Sequence, residues 1–191
     1  MTHLEVLEPS VARRDTIAYI YLSEGQYMQA LNTIGVEKNA TDSDINVEVK
    51  ALALKNLNQP KMALEHFEEL YKRNPNVYLA YEMADMKIQV QDFAGARTNV
   101  NYALANVKDD MKRAFYERQQ PYETSMKAAL TYLNGLLTFS ENKTANLDAA
   151  LKLMNDALAI DPNFYLARAS REALEAQKAQ RAQQTATDKK N

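Results

Sequence analysis

The sequence predicts an all-α fold, a solenoid of antiparallel helix pairs, and a repeat is the main evidence for it. Three alanines, Ala30, Ala63 and Ala96, lie 33 residues apart, and each follows a loop residue and a bulky or ring residue. A fixed period of this length is typical of stacked repeat arrays. The chain of 191 residues has only 4 glycines and 5 prolines, which favours long helices with short connections.

Prolines give a second, independent measure of the period. Pro9 and Pro75 are 66 positions apart, twice the alanine interval, whereas Pro75 and Pro162 are 87 apart. The fourth alanine of the series, Ala150, follows Ala96 by 54 positions instead of 33. Both markers therefore predict the same insertion of 21 residues between the third and fourth repeat units.

Capping residues mark the helix ends in the first half of the chain. Ser10 is suited to begin a helix, Gly25 is suited to follow one, and Pro60 is tolerated in a first helical turn. Asp42 or Ser43 begins a helix whose apolar residues recur at helical spacing. These signals predict helices at about 10–23 and 27–34, a third from Asp42 or Ser43, and a fourth from Pro60 to the turn at Asn74-Pro75-Asn76.

The second half of the chain is predicted to contain five further helices, for a total of about nine. Apolar spacing places four of them at about 77–90, 93–107, 125–139 and 147–160. A last helix over residues 164–178 has one apolar side and no partner helix, so we expect it to cap the fourth unit. Residues 179–191 lack an apolar face and are predicted to be disordered.

The pattern resembles the tetratricopeptide repeat (TPR) family, whose unit is a helix pair that ends in an Asp-Pro-Asn-like turn. The best copy begins with Leu147-Asp148-Ala149-Ala150-Leu151 and closes with Asp161-Pro162-Asn163. The first two copies depart from the pattern, since Glu37 replaces a small residue and Lys50 an apolar one; the family's usual tryptophan is missing everywhere. The resemblance covers residues 10–163 and implies four helix pairs stacked as a right-handed α-α superhelix.

Two segments fall outside the helix pairs. Residues 1–9 are predicted to be either the end of a preceding repeat or a short N-terminal strap. The insertion at about 108–124 is compatible with an overrun of the preceding helix to Gln119, or with a hairpin that pairs residues 114–117 with 121–124. The segment from Gln119 to Leu136, which begins inside the insertion, resembles a stretch in TPR proteins of Bacteroidetes-type bacteria. The insertion forms either a decorated joint or part of a binding surface.

The sequence carries no motif for catalysis, and we predict that the chain is not an enzyme. It has no cysteine, and neither His3 nor His66 has a second His or Cys at metal-ligand spacing. A glycine-rich phosphate loop and a Gly-x-Ser-x-Gly elbow are also missing. We therefore expect no catalytic, cofactor-binding or metal-binding residues, and we expect His66 to lie at a helix surface or boundary.

Charge and hydropathy limit the classes of partner. The net charge of −2 gives no reason to expect nucleic acid. Apolar runs fall short of the roughly 20 residues that span a bilayer, so no transmembrane segment is predicted. Residues 1–9 have no apolar signal-peptide region, which leaves the compartment open: cytoplasmic, or periplasmic if a leader has been removed.

The resemblance also implies a binding surface. In TPR proteins the first helix of each unit lines a concave groove, and residues at set positions on it face a bound peptide. Tyrosines and charged residues occupy many of the corresponding positions here, and tyrosine supplies contact area at low entropy cost. The predicted groove consists of Asp15, Tyr19, Glu48, Leu52, Lys55, Tyr78, Tyr81, Asp85 and Tyr132. For each residue, packing between helices is the competing interpretation.

The predicted function is a non-enzymatic scaffold that binds a protein or peptide partner in this groove. Its carboxylates favour a partner with apolar and basic character. Asp15 would repel a partner's terminal carboxylate, so the chain should not bind such tails by the family's carboxylate clamp. The alternative is a structural spacer or assembly module of a longer multi-repeat protein, without a ligand of its own. Self-association is a third class.

Overall fold

The computed structural model describes residues 10–116 and 119–188, and over this range the all-α prediction is confirmed. The expectation for residues 1–9 lies outside the described residues. Nine helices are present in the described part: α1 (Val11–Ser23), α2 (Tyr27–Ile34), α3 (Asp44–Asn56), α4 (Pro60–Arg73), α5 (Val77–Gln89), α6 (Phe93–Asn106), α7 (Met126–Glu141), α8 (Leu147–Ile160) and α9 (Tyr165–Asp188). Two short strands, β1 (Lys112–Phe115) and β2 (Tyr122–Ser125), lie between α6 and α7.

The helices form two compact units, Met1–Asp92 and Phe93–Asn191. In the first unit α1 packs on α2, α3 packs on α4, and α5 packs on α4. In the second unit α6 packs on α7, α7 on α8, and α8 on α9. Consecutive helices therefore pack side by side, and where the connection is short this is the helical counterpart of the β-hairpin.

The 33-residue period reappears in the backbone geometry of three turns. Gly25, Asn58 and Gln91 all adopt left-handed conformations, with φ of 74°, 57° and 64°. Each backbone N–H bonds the carbonyl three residues earlier, at 3.0, 3.0 and 3.1 Å. Only the first of the three is glycine, which has no Cβ to oppose this conformation. The repeat thus keeps its turn geometry where the sequence no longer supplies the residue best suited to it.

The periodic alanines lie in the packed interior of the helix pairs. Ala30, Ala63, Ala96 and Ala150 are all 0% exposed. In the fourth helix pair, Gly135 on α7 also requires a small residue, because an added Cβ would lie 3.2 Å from the Cβ of Leu153 on α8. Small residues at these positions let the two backbones approach, as the sequence pattern predicted.

Ala63→Leu is expected to lower the free energy of unfolding by roughly 1–3 kcal/mol. The added side chain must fit into a core cluster that already contains Val47 and Phe67. Chemical denaturation of this variant should be compared with Ala149→Leu, which adds the same atoms at an exposed position of α8. If the two variants share the wild-type midpoint, Ala63 does not mark a close helix contact.

The connection between α2 and α3 contains the partners of Lys50, the residue at which the second repeat departs from the family pattern. The buried Lys50 on α3 donates from Nζ to the Glu37 carbonyl and to the Asp42 carboxylate, both at 2.7 Å. The Arg73 guanidinium on α4 donates to the Asp42 carbonyl at 2.9 Å. Side chains from α3 and α4 therefore hold residues 35–43, the connection that follows the short helix α2.

His66 was expected at a helix surface or boundary, and the structure corrects this expectation. The side chain is 2% exposed, and its Nε2 donates to the Val36 carbonyl at 3.0 Å. Nδ1 is buried and has no hydrogen-bond partner within the described part of the chain. Burial lowers the pKa of His66 below its ordinary value of 6.5, and the nearby Lys50 ammonium acts in the same direction. His66 is therefore a neutral core residue that anchors the α2–α3 connection.

The lowered pKa of His66 predicts that stability falls as the pH falls. Below about pH 6.5 His66 of the unfolded chain becomes protonated, whereas burial opposes its protonation in the folded protein. The free energy of unfolding therefore decreases as the pH drops through this value towards the folded-state pKa. Urea denaturation from about pH 7.5 to 5.5 should show this slope in the wild type. His66→Gln should reduce the slope, whereas His3→Gln should keep it; equal slopes in all three proteins would contradict the prediction.

The insertion adopts the hairpin, one of the two structures compatible with its sequence. β1 and β2 pair antiparallel with Lys112 opposite Ser125 and Phe115 opposite Tyr122, so the hairpin is present but its strands are 112–115 and 122–125 instead of the predicted 114–117 and 121–124. Helix α6 ends at Asn106 and does not overrun. The hairpin is tied to the α8–α9 turn through a hydrogen bond from Thr124 Oγ1 to Asp161 Oδ2, at 2.5 Å.

The C-terminal helix is longer than the sequence pattern indicated. Disorder was expected from residue 179, but α9 continues to Asp188. Alanine and glutamine, which dominate this stretch, are good helix formers even without an apolar face. Two tertiary contacts extend the packing: Lys178 Nζ lies 2.7 Å from the Asp148 carboxylate, and Arg181 donates to the Lys143 carbonyl at 3.1 Å.

Candidate functional site

The predicted groove residues that are accessible in the first unit lie on α1, α3 and α5. Tyr19 on α1 is 53% exposed and Tyr78 on α5 is 41% exposed. Glu48 on α3 is exposed and Leu52, one helical turn later, is half-buried. One member was missed by the sequence analysis: Ile45, which is 51% exposed, lies three positions before Glu48 on the same side of α3. We call these five residues the α1/α3/α5 face.

Contacts between the helices bring Glu48 on α3 and Tyr78 on α5 to one surface. Glu48 and Tyr78 line the same pocket, so α3 and α5 present them to a common surface. The Lys55 ammonium on α3 also lies 2.5 Å from the Glu82 carboxylate on α5. Helix α1 packs on α3. Asp15 on α1 accepts a hydrogen bond from Asn46 near the start of α3, and Tyr19 lies one helical turn after Asp15.

Three of the predicted groove residues are buried and take part in packing. Asp15 is 4% exposed, and its carboxylate accepts hydrogen bonds from Ser43 Oγ and, at 2.9 Å, from Asn46 Nδ2. Tyr81 is 4% exposed. Tyr132, in the second unit, is 8% exposed and packs edge-on against Phe164 with ring centroids 5.1 Å apart. We therefore leave these three residues out of the candidate surface.

The two remaining predicted residues are partly accessible. Lys55 is the only basic residue of the predicted groove, and its ion pair with Glu82 offsets its charge. Asp85 on α5 is half-buried, and Gln89 Nε2 lies 3.5 Å from its Oδ1. The surface therefore has an acidic balance, because the carboxylate of Glu48 is not offset by a nearby cation that pairs with it.

This surface contains a pocket that we call the Glu48 pocket, with a volume of about 320 Å³. Leu70 and Leu79 supply apolar lining, and Tyr78 lies at its side. Arg73 also lines the pocket, but its guanidinium already lies 2.8 Å from the Asp44 carboxylate and 3.2 Å from that of Glu69. The hydrogen bond to Asp44 raises the pKa of Arg73, so this cation is permanently charged and engaged within the protein.

The Glu48 carboxylate differs from that of Asp44, the other acidic residue that lines the pocket, in having no partner in the part of the chain that the structure describes. Within residues 10–116 and 119–188, neither a hydrogen bond nor an ion pair engages its oxygens. The pocket thus combines one uncompensated negative charge, an aromatic ring and apolar lining.

Neither a metal centre nor a membrane span is found in the part of the chain that the structure describes. No three His, Asp or Glu side chains are grouped there in a way that could hold a metal ion. Among the described helices, none combines the length and apolarity needed to cross a bilayer.

Comparison with known proteins supports the fold through solved structures. Neither a protein-family model nor a curated protein sequence matches this chain. A structure of MamA, from residue 41 to its end, from Desulfovibrio magneticus RS-1 is similar, with a TM-score of 0.65 and 17% identity over 88% of this chain and 85% of that one. A MamA RS-1 double mutant gives a TM-score of 0.64 and 17% identity over 88% of this chain and 84% of that chain.

A tetratricopeptide repeat protein from Parabacteroides merdae is also similar in structure. Its TM-score is 0.67, with 16% identity over 94% of this chain and 63% of that chain. This chain thus spans less than two thirds of that protein. At this level of identity the likeness concerns the fold, and it confirms the TPR-like architecture that the sequence predicted.

Proposed function

From its TPR-like fold and accessible groove residues, we propose that the chain is a non-enzymatic scaffold that binds a protein or peptide partner on the α1/α3/α5 face. Stacked helical repeats present extended surfaces that are well suited to binding a polypeptide. The described residues offer no metal cluster, and the sequence offers no nucleophile motif, on which a catalytic alternative could be built.

The observation that carries the proposal is the exposure of Tyr19 and Tyr78. Both are large amphipathic side chains that remain 53% and 41% exposed, whereas Tyr81 and Tyr132 of the predicted groove are buried. Exposed tyrosines bring large contact area with only two side-chain torsions to immobilise, and they are enriched among residues that dominate binding energy. The exposed Ile45 adds apolar area on the neighbouring helix α3.

The charge of the face supports a partner of apolar and basic character. Glu48 is exposed and unpaired within the described part of the chain, whereas the ion pair with Glu82 offsets the charge of Lys55. Complementary charge acts mainly on the rate and selectivity of association, so raised salt should weaken binding only modestly.

The test compares two tyrosine variants as baits for partner capture and then measures affinities. Tyr19→Ala/Tyr78→Ala removes the tyrosines of the face, and Tyr116→Ala/Tyr165→Ala removes two others that are 75% and 42% exposed. A partner captured by the wild type and by the second variant, but not by the first, supports the proposal. Titration of the purified partner should then show a loss of about tenfold or more for the first variant.

Equal affinity of both variants for that partner, with both folds intact by circular dichroism, would contradict the use of this face. The hairpin of β1 and β2 would then be the next surface to test, because Tyr116 beside it is the most exposed large hydrophobic residue of the described chain.

A second candidate function is a structural module that packs against further repeats and has no ligand of its own. Exposed apolar residues in the first helix pair favour it: Val11 on α1 is 57% exposed and Met28 on α2 is 55% exposed. Sedimentation over a range of concentrations separates this function from the first. A mass that rises with concentration in the wild type and stays constant in Val11→Ser/Met28→Ser would favour packing through the first helix pair.

A further inference from the structure

The Glu48 pocket has the chemistry of a receptor for a single long side chain. Its volume of about 320 Å³ is that of a small pocket, formed by α3, α4, α5 and the α4–α5 connection. The apolar lining from Leu70 and Leu79 suits a hydrocarbon stem, and Tyr78 presents an aromatic ring that is 41% exposed. An aromatic ring attracts a cation electrostatically, whereas the free carboxylate of Glu48 supplies a full opposite charge.

The charges around the pocket favour a cationic occupant over an anionic one. Arg73, the single cation among the lining residues, is held by the Asp44 carboxylate, the Glu69 carboxylate and the Asp42 carbonyl. Its Nε and Nη1 donors are therefore engaged by acceptors of the protein itself. Glu48 remains as the charge that a ligand would meet, and it would repel a carboxylate or phosphate.

We infer that the Glu48 pocket binds a lysine or arginine side chain of the partner. The stem would pack against the leucines, and the charged end would lie between the Glu48 carboxylate and the Tyr78 ring. Long basic side chains combine these two properties because they cover apolar surface while they keep a charged end near an acceptor. This inference rests on the proposed function, since it names the residue type that the α1/α3/α5 face selects.

The experiment titrates the protein with short capped alanine peptides that differ only in one central residue: arginine, lysine, norleucine or glutamate. Binding is followed by the ¹H–¹⁵N shifts of the Glu48 and Tyr78 amides. The arginine and lysine peptides should bind about five- to tenfold more tightly than the norleucine peptide, which keeps a stem without charge. The glutamate peptide should bind most weakly of the four.

Two variants, each of which removes one negative charge, make the test specific to the pocket. Glu48→Gln should reduce the affinity of the basic peptides to that of the norleucine peptide. Glu65→Gln, which neutralises an exposed carboxylate on α4 that does not line the pocket, should leave the affinity unchanged.

The inference is overturned if the norleucine peptide binds as tightly as the basic ones, or if Glu48→Gln has no effect. A norleucine peptide that shifts the Tyr19 and Leu52 amides without any advantage for arginine would overturn the cation pocket and leave the proposed face intact. If no peptide shifts any amide of the α1/α3/α5 face, the pocket and the proposed function both fail.

Discussion

Lys50→Ala should lower the free energy of unfolding by about 3–5 kcal/mol. The side chain is 0% exposed, and its ammonium pairs with the Asp42 carboxylate, whose side chain is 10% exposed. Removal of the ammonium leaves that carboxylate and the Glu37 carbonyl without their buried donor. Chemical denaturation measures the loss, and hydrogen exchange should show faster exchange across residues 35–43, the segment that Lys50 holds.

Matched variants separate charge from volume at this position. Lys50→Met keeps much of the stem but leaves Asp42 uncompensated, so it should remain strongly destabilised; Lys50→Met/Asp42→Asn should recover part of the loss. Lys61→Ala, at an exposed position of α4, should change stability by less than about 0.5 kcal/mol. A Lys50→Ala variant as stable as Lys61→Ala would mean that the ion pair does not support the fold.

Phe164→Ala should also cost about 3–5 kcal/mol, in the second unit. The ring is 0% exposed and lies at the centre of an aromatic cluster with Phe115, Tyr122 and Tyr132, at centroid distances of 5.2, 6.4 and 5.1 Å. Two of these partners belong to the hairpin, so the variant should also weaken the packing of β1 and β2. We expect this effect on the hairpin because an isolated two-stranded hairpin is only marginally stable in water.

Denaturation and hydrogen exchange together test this second prediction. The neighbouring variant Tyr165→Ala is the control, because Tyr165 is 42% exposed and should lose little stability. In Phe164→Ala the amides of β1 and β2 should lose protection to a greater extent than those of α8. Unchanged protection of the hairpin would show that it is held by contacts other than the aromatic cluster.

Local sequence signals were sufficient to predict most helices and their starts. Ser10 and Ser43 were predicted from residue type, and their hydroxyls accept from the backbone N–H groups of Arg13 and Asn46. Such caps depend on residues three positions away, so the sequence shows both partners together. The interval between Ala30, Ala63 and Ala96 similarly predicted the buried helix contacts, because repeat units impose the same packing at the same spacing.

Long-range polar contacts could not be read from the sequence in the same way. Asp15 was placed in the groove by its position in the repeat, but it bonds Ser43 and Asn46, 28 and 31 residues later. His66 is buried by its contact with Val36, 30 residues earlier. The residues that surround Asp15 and His66 in the sequence do not reveal these distant partners. The same applies to Tyr132, whose ring packs on Phe164.

The central claim is that a partner binds on the α1/α3/α5 face, and side-chain oxidation footprinting tests it most directly. Four exposed tyrosines serve as probes: Tyr19 and Tyr78 on the face, and Tyr116 and Tyr165 in the second unit. In the complex, Tyr19 and Tyr78 should be protected from hydroxyl-radical oxidation, whereas Tyr116 and Tyr165 should react as in the free protein. Protection of Tyr116 and Tyr165 with unchanged oxidation of Tyr19 and Tyr78 would contradict the claim.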